Sequence, residues 1–200
     1  YSIPVNVHRG NVLFYNKALL VELDIMEGLI GLQDFIDTCQ KIKEKGVTPL
    51  ALGDKNKWTA THLFETVLLE TLGGVDYNGL WDGSTSFEDP DVKQALNYFK
   101  ELMTYVNEDH AALTWQDATR RVYDGETAYT LMGDWAEGYL KTLGWTPGKE
   151  FGWQFIGGSK LFMVITDTFG LPKGAPHPEG AKAWLKTVAS VEGQDTFNPI

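Results

Sequence analysis

A single cysteine, Cys39, in 200 residues excludes an internal disulfide and a cysteine-built metal centre. The four histidines lie far apart, and none stands in an HxxxH or HExxH spacing. No metal site is therefore expected. GxGxxG, GxxxxGKS/T and GxSxG are all missing, which removes the usual signals of dinucleotide binding, phosphate cradling and a serine nucleophile. No cofactor and no catalytic residue is assigned. No apolar run approaches the roughly 20 residues that span a bilayer. Positive charge is scarce: Lys+Arg 17 against Asp+Glu 27 gives −10, with an isoelectric point near 4.8. Such a chain repels phosphate backbones and anionic lipid, so no nucleic-acid partner is expected.

What is present reads as packed α/β. The hydrophobic fraction of 43% suits a globular core. Residues 11–15 predict a strand and 17–23 a short helix, followed by an apolar patch at 26–30 with no clear period. Leu32, Phe35, Ile36, Cys39 and Ile42 share one helical face, with Gly46 placed to cap its end. On that face Cys39 packs rather than reacts. Residues 49–52 form a short strand. Thr59 is expected to cap a helix carrying Leu63, Val67, Leu68 and Leu72, stopped by Gly73-Gly74. Asp89-Pro90 opens another helix, apolar at helical spacing from Val92 to Val106. The runs 127–132 and 161–166 read as strands buried on both faces. His177-Pro178 starts a last helix with Ala181, Trp184, Leu185 and Val188 facing inward. Helices alternating with short buried strands predict an α/β sheet flanked by helices.

Residues 114–139 carry the densest chemistry. Thr114 caps a polar helix that begins at Trp115. The chain then passes through Asp124-Gly125 into an apolar strand that stops at Gly133-Asp134-Trp135. Gly133 allows a sharp turn, so Trp135 projects from the carboxyl end of a strand, where open α/β sheets bind ligands. Asp134 reads first as the cap of the next helix. Asp167 ends the second apolar run, and a carboxylate there needs hydrogen-bond partners, either hydroxyls of a ligand or backbone N–H groups of the following loop. A carboxylate beside a flat indole suits a neutral, hydroxyl-rich ring. Trp58, Thr61, His62 and Glu65 are candidates for a satellite polar cluster, but His62 and Glu65 three apart read better as a solvated helical pair. Trp81, Trp145, Trp153 and Trp184 are assigned to packing or surface.

Several segments together resemble one family: residues 3–11, 49–53, 132–135, 167–175 and 192–199. They resemble the carbohydrate-binding branch of the extracellular solute-binding proteins of ABC importers, with glucose/galactose and glucose/mannose binders the nearest in kind. The resemblance implies a two-lobed type II fold with sugar clamped between the lobes. It matches residues 1–200 to the C-terminal lobe alone, with the first lobe absent. That fits a chain whose ends read as points of passage to another lobe. Residues 1–5 open in extended sequence with no leader pattern, so any targeting segment is expected to have been removed or to lie upstream. Residues 26–32 depart from the proline-containing loop of the relatives. The implied ligand contacts are His8, Trp115, Trp135 and Asp167. A neutral His8 imidazole can both donate to and accept from a hydroxyl. The implied partners are a monosaccharide such as glucose or galactose and, for the intact receptor, ABC permease subunits. The implied location is periplasmic or extracellular. Indoles left uncovered on a cleft face would also favour self-association.

The competing reading is a glycoside hydrolase fragment using Asp167 with Asp134 or Glu137, since glycosidases also set carboxylates around a sugar. Incubation with aryl glycosides separates the two. No sustained turnover is expected, and turnover abolished by Asp167→Asn would defeat the binding reading.

Overall fold

Extended segments with no solvent-facing residue need partners on both faces, and the described residues include two, Val12–Asn16 and Thr127–Met132. The computed structural model describes residues 2–25, 28–158 and 160–198. In chain order its elements are strands Ser2–Pro4 (β1), His8–Arg9 (β2) and Val12–Asn16 (β3), helices Lys17–Glu22 (α1) and Leu32–Glu44 (α2), and strand Thr48–Ala51 (β4). Helices Thr59–Asp82 (α3), Pro90–Leu102 (α4) and Trp115–Tyr123 (α5) follow, then strand Thr127–Met132 (β5), helix Trp135–Thr142 (α6) and strands Phe151–Gln154 (β6), Val164–Ile165 (β7) and Thr168–Gly170 (β8). Pro178–Val188 (α7) and Val191–Phe197 (α8) complete the order. The chain divides into two units, Gly10–Met163 and a smaller one made of Tyr1–Arg9 with Val164–Ile200.

The larger unit is built on a four-stranded sheet in the order β4-β5-β3-β6. β3 pairs antiparallel with both β5 and β6, while β4 runs parallel to β5. Alternation along the strands sorts the core into two layers. Leu13, Tyr15, Leu50, Tyr129 and Leu131 join α2 residues Phe35, Ile36, Cys39 and Ile42 and α3 residues Leu63, Val67 and Leu68 in one cluster. Val12, Phe14 and Met132 join Ala136 and Leu140 of α6 in the other, and Ala51 packs on Ala118 and Val122 of α5. Helices thus cover both faces of the sheet, as the α/β reading expects.

The buried face of α2 is the expected one. Gly46, just past its end, holds a φ of 81°, a conformation glycine adopts without steric cost. Cys39 is fully buried, and burial pushes its thiol up, so it packs as a small hydrophobe.

Other expectations are corrected. Gly73 does break α3 (φ 74°, ψ 169°), but the helix resumes to Asp82 and ends at Gly83. Leu80 and Tyr77 reach the core beyond the break and hold the added turns. α4 ends at Leu102 rather than Val106, with a 3-10 turn over Met103–Tyr105. The run 161–166 is not a buried strand. Only Val164–Ile165 is extended, Val164 is 66% exposed, and the run is divided between the two units. Of the patch at 26–30, Met26 and Glu27 lie outside the described residues, while Ile30 is exposed.

In the smaller unit, β1 pairs antiparallel with β8 and β2 with β7. α7 has no buried residue. Ala181, Leu185 and Val188 are half-buried, but Trp184 is exposed, against the inward face expected for it.

Phe35 is fully buried, edge-on to Tyr129 at 5.5 Å. Phe35→Ala is expected to lower unfolding stability by about 3–5 kcal/mol, measurable by urea denaturation.

Candidate functional site

Because β4 and β5 are parallel, their carboxyl ends, Ala51 and Met132, open on the same edge of the sheet. A helix follows each strand, and a tryptophan stands at each helix start. Trp58 is the N-cap residue of α3, and Trp135 is the first residue of α6. Trp115, the first residue of α5, is brought to the same region by stitching between loops. Leu52 N–H donates to Asn107 Oδ1 at 2.8 Å, and Lys55 N–H donates to the Leu113 carbonyl at 2.9 Å. Gly53 approaches so closely that a Cβ there would lie 1.9 Å from the Thr114 carbonyl oxygen. All three indoles are half-buried and pack on the cluster of Val12, Phe14, Met132, Ala136, Leu140 and Phe151.

Local chemistry sets each ring. Thr114 caps α5 as expected: its Oγ1 accepts from Asp117 N–H at 3.2 Å, and Asp117 Oδ2 accepts from Thr114 N–H at 2.8 Å, a reciprocal capping box. Trp115 then meets Tyr139 edge-on, centroids 5.8 Å apart. For α3 the capping group is Asp54, not Thr59. Asp54 Oδ1 accepts from Ala60 N–H at 3.1 Å and from the Thr59 hydroxyl, while that hydroxyl also donates to the Gly53 carbonyl. Lys57, just before Trp58, holds a φ of 62°, a strained setting for a residue with a side chain. Gly133 serves close approach rather than an unusual turn: a Cβ there would lie 2.1 Å from the Trp135 ring, which folds back over it. Asp134 occupies the expected cap position without a side-chain cap bond.

His62 overturns the solvated-pair reading. It is 5% exposed, its ring 5.8 Å from Trp58 and 6.2 Å from Trp135, with the two indoles 6.3 Å apart. Its Nε2–H donates to the Gly10 carbonyl, because a carbonyl can only accept. Burial lowers its pKa, against the opposing effect of that hydrogen bond. Trp58 and His62 were both missed as members of this site. Their i,i+4 spacing at a helix start, just after a strand, was the signal available.

The four expected contact residues divide between the units. Trp115 and Trp135 belong to the larger and share its second core cluster. His8 and Asp167 belong to the smaller. There His8 is half-buried on β2 opposite Ile165, and Asp167 is exposed. Exposed to water, the Asp167 carboxylate is under no burial demand for partners, and it pairs with a side chain rather than with the N–H groups of the following loop. Its Oδ2 accepts from the Asn6 side-chain amide at 2.7 Å, and its N–H donates to Asn6 Oδ1 at 2.9 Å. The smaller unit also carries an apolar groove of about 610 Å³ lined by Phe169, Trp184 and Phe197, among others, and neither His8 nor Asp167 lines it. Of the tryptophans set aside, Trp145 stacks on Phe151, while Trp81, Trp153 and Trp184 are exposed. Among the described residues, no group of three or more His, Cys, Asp or Glu is placed to hold a metal ion. No helix among them is long and apolar enough to cross a membrane.

Comparison with known proteins identifies the family. The family model of bacterial extracellular solute-binding proteins matches residues 1–195. An uncharacterized ABC transporter extracellular-binding protein of Pyrococcus horikoshii is 48% identical over 202 residues, covering 100% of this chain and 45% of that protein. The glucose-binding protein GlcS of Saccharolobus solfataricus is 27% identical, covering 98% of this chain and 38% of its own length. Among solved structures, the bacterial solute receptor AcbH, described by an exclusive preference for β-D-galactopyranose, superposes with a TM-score of 0.70 at 24% identity. That match covers 98% of this chain and 50% of the receptor. The chain spans about half the length of the curated relatives it matches, or less.

A lowered His62 pKa means that the unfolded chain binds the proton more readily. The neutral ring's contribution is complete above the unfolded value, about 6.5, and is lost as pH falls through the lower folded value. Thermal midpoints are therefore expected to drop as pH falls below about 6.5, and His62→Gln should flatten that part of the profile.

Proposed function

We propose that this chain, which belongs to the bacterial extracellular solute-binding protein family, supplies part of the sugar site of an ABC importer's substrate-binding protein. The observation that carries the reading is the set of three half-buried indoles, Trp58, Trp115 and Trp135, gathered where the parallel strands β4 and β5 end. Indole faces cover the C–H face of a pyranose and need no cofactor. Trp115 and Trp135 serve as platforms, with Trp58 beside Trp135. His8 and Asp167 supply polar contacts to hydroxyls, and the Asn6 amide holds the Asp167 carboxylate in one orientation. A monosaccharide of the glucose or galactose type is the proposed ligand. The similarity to a glucose-binding protein and the fold shared with a galactopyranose receptor support it. Family membership also favours binding over glycoside hydrolysis, since the matched relatives are solute-binding proteins.

In the intact protein we assign residues 1–200 to the C-terminal lobe. A further lobe would bring its own contacts and close over the sugar by domain motion. The closed form would dock on permease subunits at the outer face of the membrane.

Magnitudes bound what this chain does alone. A charge-assisted hydrogen bond contributes about 1.5–3 kcal/mol and a neutral one about 1. An aromatic face adds about 0.5–1.5 by analogy with aromatic pairs. Four contacts sum to roughly 4–7 kcal/mol, against an association cost estimated at about 4–15. Glucose or galactose should therefore bind at about millimolar concentration or weaker. Saturation-transfer NMR is expected to show that weak binding, and Trp135→Ala to abolish it. A micromolar dissociation constant by calorimetry would refute the cost argument.

A further inference from the structure

The larger unit begins at Gly10 and ends at Met163, where the chain passes to the smaller unit. These two ends are fastened to each other. Gly10 N–H donates to the Met163 carbonyl at 2.7 Å. The Asn11 side chain, 1% exposed, accepts from Met163 N–H at 2.8 Å and donates to the Leu161 carbonyl at 2.8 Å. The Gly10 carbonyl is taken by the His62 ring. That same ring lies against both Trp58 and Trp135.

We infer that His62 is a positioning residue that ties the Trp58–Trp135 indole pair to the paired chain ends at Gly10 and Met163. The tie needs two properties at once. A flat ring must lie against both members of a tilted indole pair, and a donor must stand at its far tip to satisfy a buried carbonyl. Histidine combines them. Phenylalanine supplies the ring but leaves the carbonyl unpaired, which is costly in a buried setting. Glutamine reaches the carbonyl but offers no ring. Trp58 and His62 are one turn apart, joined by the His62 N–H to Trp58 carbonyl bond at 2.9 Å, so the first turn of α3 moves as a piece. In a close-packed interior a displaced ring displaces what it touches. A ligand pressing on the indoles is therefore felt at Gly10. The tie deepens the sugar-binding reading, and its value to function rests on that reading, but its geometry is testable without sugar.

The test uses the full chain labelled with 15N. In the unmodified protein, the His62 ring N–H should give a protected signal with a nuclear Overhauser contact to the Trp135 ring. In His62→Phe, Gly10 amide exchange should quicken by about tenfold. His62→Gln should restore slow exchange at Gly10 while shifting the Trp58 and Trp135 indole signals, because only the ring is lost. A fully exposed, fast-exchanging His62 N–H overturns the tie, and needs no variant to fold. So does Gly10 exchange that is equal in the unmodified, Phe and Gln proteins. If glucose and galactose give no saturation transfer in the unmodified chain, the sugar reading fails, while the exchange and indole data still decide the tie. If sugar binds, its addition should slow Gly10 exchange in the unmodified protein and leave it unchanged in His62→Phe. Sugar that binds without moving Gly10 exchange in the unmodified protein counts against the tie.

Discussion

β3 and β5 bury every residue on both faces, so their pairing has one workable register. A one-residue slip would turn Leu13, Tyr15, Tyr129 and Leu131 toward the wrong helical layer. That register sets Val12 opposite Met132. The residues just outside this pair are Gly10 and Asn11 on one strand and Gly133, Asp134 and Trp135 on the other. The crossing point and the indole platform therefore leave the sheet side by side, close enough for one imidazole to touch both. Backbone pairing, rather than any single polar contact, decides where the candidate site forms.

Around that edge the tryptophans are placed by three different devices. Trp135 depends on the missing Cβ of Gly133, Trp115 on a reciprocal capping box, and Trp58 on a loop that tolerates a left-handed Lys57. Each device orders a large, stiff side chain in advance, which on the proposed reading lowers the entropy lost when a sugar binds.

Much of this was legible along the chain. The apolar face of α2, its glycine terminator, the Thr114 cap and the strand over 127–132 rest on neighbours within a few residues, and local pattern reports such neighbours. Where the reading failed, distant contacts had taken over. Gly73-Gly74 breaks the helix locally, yet Tyr77 and Leu80 find the core beyond it. The apolar run 161–166 looks like a strand, but its residues fall in two units. His62 looked like a surface partner of Glu65, and it is Gly10, 52 positions away in sequence, that draws it inside.

By itself, then, the amino-acid order determined the fold class, the absence of metal-binding spacing and, through the family resemblance, the candidacy of Trp115 and Trp135. The first two depend on composition, period and the spacing of neighbouring residues. Only the tertiary structure decided that Trp58 and His62 belong with Trp135, that Asp54 caps α3, and that Asp167 is held by Asn6 in the open rather than buried at a strand end. Those outcomes follow from burial and pairing between residues far apart in the chain, and a one-dimensional pattern carries no record of which distant partner removes a side chain from water.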